Sequence, residues 1–278
     1  MTSAAQITGF LEARFGKVPG VEGMLETAEA QALAPLLGRR SCRDYAVREV
    51  PEGLVRLLLA AGLSAPTKSD LQQADVVWVR DEALRAELLE GIPGADWIAR
   101  APVFLVVCGN GARLASLFEG QDFPNDHFDA LFNATGDAAI VLEGIVAAAA
   151  VAGLATCPIS VIRNRAARVG ELLGLPDRVF PFAGVCVGYP AVEGAISPRL
   201  DPGITLHEDR YDAGAFSRLG AAYDARRNRI KPFGRQREVS RFGEAQDYGW
   251  REDKRRQYST PQRTDFGAWL RRTGFSFE

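Results

Sequence analysis

The sequence predicts an α+β fold. Short runs rich in β-branched and aromatic residues, at 75–80, 103–108 and 182–190, read as buried strands. Segments with apolar residues at helical spacing separate them. Apolar residues make up 47% of the 278-residue chain, enough for a sizeable core and too many for a disordered one.

The elements follow in chain order. Residues 4–15 are weakly amphipathic and predict a short helix, and Gly16–Gly23 is a Gly/Pro-bearing linker. Residues 25–37 predict a helix with Leu25, Leu33, Leu36 and Leu37 on one side. Pro51 opens a strong helix carrying Leu54, Leu57, Leu58 and Ala61, which ends near Gly62. A polar loop, 64–72, runs into the first strand, and Asp81 caps a helix over 82–90. Ala101-Pro102 leads into the second strand, and 135–152 reads as a long helix, apolar nearly all round, deep in the core or at a subunit interface. Residues 156–162 are extended, Asn164 is a candidate cap for a helix over 165–173, and Gly174-Leu175-Pro176 closes it. Gly188 and Pro190 stop the third strand. Beyond it, 191–211 is loop-like, 215–229 helical, 230–249 polar and irregular, and 250–274 basic and aromatic.

Net charge is −2, so the molecule as a whole has no bias toward nucleic acid or membrane. Residues 1–217 hold 18 Lys and Arg against 27 Asp and Glu, whereas 218–278 hold 15 against 8. The basic tail interleaves its charges with Phe242, Tyr248, Trp250, Tyr258, Phe266 and Trp269, which is a pattern of packing more than of a nucleic-acid arm. Four dispersed cysteines, with no CxxC, are the usage of a cytoplasmic protein with reduced thiols. The richest apolar run, 140–155, is interrupted by Glu143, Gly144 and Gly153 and reads as too short to span a bilayer. The N-terminus lacks the pattern of a signal peptide. The expectation is a soluble cytoplasmic protein. His127 and His207 are too few for a metal site, and His207 reads as a surface residue. Trp78, Trp97 and Phe104 read as core.

The segment Gly38–Tyr45 concentrates chemistry. It places Arg39, Arg40, Ser41 and Arg43 within five residues. Guanidinium forks match phosphate oxygens two at a time, and their charge does not titrate away. A solvated basic turn has the same composition; the company the segment keeps separates the two readings. After it come Val-Pro and a helix, then Ala65-Pro66-Thr67-Lys68-Ser69-Asp70-Leu71-Gln72, Ala-Pro before a strand, Gly153-Leu154-Ala155-Thr156-Cys157-Pro158-Ile159, and Gly-Leu-Pro before Gly188-Tyr189-Pro190. In that order and spacing, over roughly residues 30–275, the chain resembles the FMN-dependent nitroreductase family of NAD(P)H oxidoreductases. Pro198-Arg199-Leu200 and His207-Glu208-Asp209 before Tyr211 resemble its flavin-reductase and oxygen-insensitive nitroreductase branch.

The resemblance implies a nitroreductase-like subunit with a mixed, mostly antiparallel sheet flanked by helices, in an intertwined homodimer with FMN at the subunit interface. It implies an N-terminal extension over 1–29, an FMN-binding core over 30–195, and a C-terminal arm over 196–278 packing on the core or the partner. Arg39, Arg40, Ser41 and Arg43 match the segment that meets the phosphate and the pyrimidine edge of the isoalloxazine. Pro66, Thr67, Ser69 and Gln72 match the loop on ribityl and phosphate; Asp70, a carboxylate where the family often has Asn, is left out. Pro158, Ile159, Ser160 and Val161 match the stretch over the ring, with a backbone N–H toward N5 near Ser160 and Val161. Arg199 matches a tail arginine on the phosphate. Ser197 and Ala95 stand where the branch often has a lysine and an amide. The absence of a GxGxxG or Walker loop agrees with a nicotinamide that stacks on the flavin instead of occupying a Rossmann domain.

The implied activity is ping-pong hydride transfer from NADPH or NADH through FMN N5 to a nitroaromatic, a quinone or free flavin. Alternatives on the same scaffold are a reductive dehalogenase, a flavin-fragmenting enzyme or a non-catalytic flavin carrier.

Overall fold

The computed structural model describes residues 2–16 and 20–278. Residues 17–19 of the expected Gly16–Gly23 linker lie outside the described residues. The helices in chain order begin with α1 (Ala4–Phe15), α2 (Ala28–Gly38) and α3 (Glu52–Leu63). Strand β1 (Ala74–Trp78) follows, then α4 (Glu82–Leu89), α5 (Asp96–Ala99) and β2 (Val103–Asn110). Next come α6 (Ala112–Ser116), the long α7 (Phe128–Val151), β3 (Ala155–Ile159), α8 (Ala166–Leu173) and β4 (Val179–Gly188). The tail adds α9 (Pro202–Thr205), α10 (Ala215–Ile230), α11 (Val239–Phe242), α12 (Trp250–Gln257) and α13 (Phe266–Arg272).

The chain divides into two compact units, Met1–Gly38 with Ala195–Gln262 and Arg39–Gly194 with Arg263–Glu278. The second unit holds the sheet. Its strand order is β1-β2-β4-β3, and every pairing between these strands is antiparallel. The fold class is therefore the expected α+β one, with one more strand than the sequence predicts as such: the extended stretch after Ala155 pairs with β4, Cys157 opposite Cys186. Strands β2 and β4 are central and almost wholly buried, which is why their sequences are continuous apolar runs without alternation.

Helix α7 begins at Phe128, seven residues earlier than the apolar run suggests. By length and composition it could cross a membrane, contrary to the sequence expectation. Val141, Ile145 and Ala149 instead belong to one buried cluster with Leu105 and Val107 of β2 and Val185 of β4. Helix α3 packs on α7 through glycines. A Cβ on Gly62 would collide with Ile145 Cγ1, and one on Gly144 would lie 3.0 Å from the Gly62 Cα. Gly144 thus serves close helix approach, not interruption. Asp81 caps α4 as expected, accepting the Leu84 N–H at 2.9 Å. Gly174 ends α8 in the left-handed conformation, φ +63°. Asn164 is not a cap; it sits in a 3-10 turn, Val161–Arg165, and its Oδ1 accepts from Arg263 Nε at 2.8 Å.

In the first unit, a capping box between Ser3 and Gln6 opens α1. Buried Arg14 donates Nε and Nη2 to the Leu37 carbonyl, at 3.2 and 3.0 Å, closing the C-terminal end of α2. Much of the basic tail pairs within itself. Asp253, 1% exposed, accepts from Tyr248 Oη at 2.9 Å and Arg237 Nε at 3.0 Å, and pairs with Lys254 Nζ at 2.9 Å. Glu252 receives Arg255 and the buried Arg256, at 2.6 and 2.7 Å. Two guanidinium groups hold the Glu252 carboxyl down to about 2.

Candidate functional site

The basic segment is extended chain laid along the free edge of β3. Ser41 forms an isolated parallel bridge with Thr156, and the Cys42 N–H donates to the Thr156 carbonyl at 3.0 Å. Tyr45 bridges antiparallel to Pro190, and the Ala46 N–H donates to the Tyr189 carbonyl at 2.9 Å. The Tyr45 hydroxyl donates to the Cys42 carbonyl at 2.9 Å, bracing the span between the two bridges. A run of polar residues can sit there because the sheet satisfies its backbone.

Within this span Ser41 and Arg43 are exposed, and Arg39 and Arg40 are half-buried. Arg40 Nη2 pairs with Glu193 Oε1 at 2.8 Å. The Arg43 guanidinium carbon lies 5.5 Å from the centre of the Trp97 ring, so Trp97, read as core from sequence, is half-buried and supports a cation. Burial pushes the Cys157 thiol up, and the charges of Arg43 and then Arg39 pull it partly back. Those two cations therefore act on the β3 edge. Burial, reinforced by nearby Cys186, Cys157 and Cys42, raises Tyr45 far above the ordinary phenol range and keeps it a neutral donor.

The second predicted stretch continues directly from β3. Pro158 is exposed, Ile159 is buried, and Ser160 and Val161 turn into the 3-10 segment. Arg263, from the chain's far end but in the same unit, donates Nη2 to Ser160 Oγ at 3.1 Å. Sequence reasoning singles out neither Arg263 nor this contact; the partners are 103 residues apart.

The third stretch is a tight loop between α3 and β1. Pro66, Ser69 and Gln72 are exposed and Thr67 is half-buried. Ser69, Asp70 and Gln72 all have positive φ, 51°, 57° and 50°. Thr67 Oγ1 accepts the Gln72 N–H at 3.3 Å, and Asp70 Oδ1 accepts from Gln72 Nε2 at 3.2 Å. Under the loop lies Asp137 of α7, only 2% exposed. Its Oδ1 accepts the Lys68 N–H at 3.0 Å and its Oδ2 the Gln73 N–H at 2.9 Å. A cavity of about 280 Å³ lies alongside, lined by Pro66, Thr67 and Lys68 on one side and Phe132, Gly136 and Ile140 on the other. Asp137 escapes a reading of the sequence because its helix looks apolar all round. The available signal is the reverse: a carboxylate within an apolar helix, if buried, needs a donor.

Arg199 belongs to the first unit, whereas the other predicted contacts belong to the second. Its Nη1 donates to the carbonyls of Ser197 and Pro198 at 3.3 and 3.2 Å. Of the histidines, His127 caps α7 and accepts the Asp129 N–H at 3.3 Å, and His207 accepts the Asp212 N–H at 3.3 Å. Ala95, buried, precedes α5. Among the described residues, no group of His, Cys, Asp and Glu is placed to hold a metal ion.

Known proteins share both sequence and fold. The profile described as "Nitroreductase family" matches residues 36–92 and 93–189, and that of its C-terminal domain matches 197–278. An FMN reductase (NAD(P)H) of Bacillus subtilis is 33% identical over 186 residues, covering 65% of this chain and 74% of its own. An oxygen-insensitive NADPH nitroreductase of Salmonella typhimurium is 31% identical over 189 residues, 68% of this chain and 78% of its own. Among solved structures, the hypothetical oxidoreductase YcnD from Bacillus subtilis superposes with a TM-score of 0.79 at 27% identity, covering 89% of this chain and 99% of its own. The NADPH:FMN oxidoreductase from Vibrio harveyi, complexed with NAD+, superposes with a TM-score of 0.76 at 25% identity, covering 87% and 97%. With the basic segment, the Pro-Thr loop and the Cys-Pro-Ile stretch all carried on one antiparallel sheet unit, the chain is a member of the nitroreductase family.

Proposed function

We propose that this protein is an FMN-dependent NAD(P)H oxidoreductase of the nitroreductase and flavin-reductase type. The observation that carries the reading is the seating of Arg39–Arg43 on the β3 edge, with Ser41 bonded beside Thr156, three residues before Ile159. Relatives named FMN reductase, NADPH-flavin oxidoreductase and oxygen-insensitive NADPH nitroreductase support it.

The residues present fit FMN by their chemistry. Arg39, Arg40 and Arg43 offer fixed cations to the phosphate and to the pyrimidine edge, where reduction leaves negative charge. Ser41, Thr67, Ser69 and Gln72 offer hydroxyls and an amide to phosphate and ribityl, with Pro66 shaping the loop. Pro158, Ile159, Ser160 and Val161 would cover the ring, with a backbone N–H of Ser160 or Val161 as the N5 donor. Arg199, in the other unit, matches the family's tail arginine by sequence and is a candidate phosphate ligand on that ground. When bound, FMN supplies the two-electron chemistry, accepting hydride from NADPH or NADH and returning it to a nitroaromatic, quinone or flavin. The chain contributes charge compensation and orientation; protons come from solvent.

Part of the site belongs to a homodimer in this reading. Phe128, Phe132, Ile140 and Val151 of α7 and Leu57 and Leu63 of α3 are exposed, more large apolar surface than two helices of a monomer ordinarily leave in water. The four free cysteines agree with a cytoplasmic location.

The test is spectroscopic. Protein purified with FMN should lose its yellow absorbance on anaerobic addition of NADPH or NADH and regain it with a quinone or nitroaromatic. Holoprotein that stays oxidised with both reductants in excess would be a carrier, and this reading would fall.

A further inference from the structure

Resting on the flavin reading above, we propose that Asp137 is a positioning residue that holds the ribityl-phosphate loop in its binding conformation without touching the cofactor. The loop's conformation needs holding. Three of its non-glycine residues, Ser69, Asp70 and Gln72, are left-handed, a conformation that strains L-residues, Ser and Gln more than Asp. Left alone, the chain would relax and take Thr67, Ser69 and Gln72 with it.

Asp137 opposes this from beneath. Its two oxygens accept the backbone N–H groups of Lys68 and Gln73, at 3.0 and 2.9 Å. Those two donors bracket every strained residue. A carboxylate is the one side chain of this size that accepts at both ends, and charge-assisted bonds to backbone N–H are the strong ones. Helix α7 is fixed against the sheet, so the carboxylate is a rigid anchor.

A second clamp holds the backbone carbonyls. Arg113 donates Nη1 to the Gln72 carbonyl and Nη2 to Asp75 Oδ1, the latter at 2.7 Å. The Asn110 N–H also donates to the Gln73 carbonyl at 2.8 Å. Both donor and acceptor groups of the loop backbone are thus pinned. Within the loop itself, Thr67 Oγ1 accepts the Gln72 N–H and the Gln72 amide donates to Asp70 Oδ1, while Ser69 is exposed.

Asp137→Asn separates this role from others. It keeps size and one acceptor but presents an amide N–H to one of the two backbone donors. We expect apo-protein that folds, with FMN Kd raised about tenfold or more, which is about 1.4 kcal/mol. The loss should fall on FMN affinity, while kcat measured at saturating FMN drops much less. Backbone exchange at Lys68 and Gln73 should accelerate before that of the β2 and β4 amides. Arg113→Ala, on the exposed side, should weaken FMN in the same sense and carries the test if Asp137→Asn does not fold. Wild-type Kd in both variants, or a loss confined to kcat, overturns the positioning role while leaving the flavin reading intact. A wild-type protein that binds no FMN overturns both.

Discussion

Gly188, the last residue of β4, lies directly against Tyr45. A Cβ built on it would stand 2.8 Å from the Tyr45 Cδ1 and 2.8 Å from the Pro102 Cδ. Tyr45 ends the basic segment, so the absence of one side chain lets that segment close onto the sheet. Gly188→Ala should cost about 1–3 kcal/mol as an overpacking change. It should also weaken FMN binding, because Tyr45 can shift only by moving the span back to Ser41. Thermal melts and FMN titration check this; an unchanged FMN Kd would mean that Tyr45 moves independently of the cations.

The cations themselves give the most direct test of the site. Arg39→Ala and Arg43→Ala should purify folded but depleted of FMN. Loss of one charged hydrogen-bonding partner corresponds to about 1.5–3 kcal/mol, or roughly ten- to hundredfold in affinity. Absorbance ratios at the flavin and protein bands report occupancy. Full occupancy in both variants would refute the assignment.

The buried thiols predict an alkaline limit to stability. Burial pushes Cys108 up to about 12, and burial also raises Cys186 and Cys157. The unfolded chain releases these protons first, near the ordinary thiol pKa of about 8.5. Their stabilising contribution is therefore complete below that pH and declines as pH rises toward the folded values. Each unit of difference is worth about 1.4 kcal/mol per group. Denaturant midpoints measured from pH 8 to pH 10 should fall, and Cys108→Ala should flatten the slope. A pH-independent midpoint would contradict the burial of these groups.

The exposed apolar residues of α7 predict assembly. Phe132 is 64% exposed and Ile140 42% exposed, both beside the loop that carries Thr67. Phe132→Glu should convert a dimer into monomer in sedimentation. If part of the site lies across the interface, flavin should be lost with it. A wild-type protein that sediments as a monomer would remove that part of the reading.

Much of this protein can be read without coordinates. Apolar runs rich in Val, with Phe or Trp, mark β1, β2 and β4, and the central pair β2 and β4, buried on both faces, needs little else. Asp81 and Gly174 mark helix ends through chemistry confined to one turn. The arginine-serine segment, the Pro-Thr loop and the Cys-Pro-Ile stretch are recognisable because their residue types and order are local. The third strand in the chain and the start of α7 are less legible: β3 carries Pro158, which weakens a strand pattern, and the first turns of α7 carry polar and aromatic residues in no clean period.

What the sequence determines alone, then, is the α+β class, the helix ends at Asp81 and Gly174, and the residues with the chemistry for a phosphate and a polyol. Tertiary structure decides which of them share a sheet edge. It seats Ser41 beside Thr156, 115 positions along the chain. It brings Arg263 to Ser160 and sets Asp137 beneath Lys68 and Gln73. The physical reason is the same in each case. A side chain's chemistry is local, but its partner is chosen by burial, and a buried carboxylate or a free sheet edge accepts whatever donor the packing of distant segments delivers.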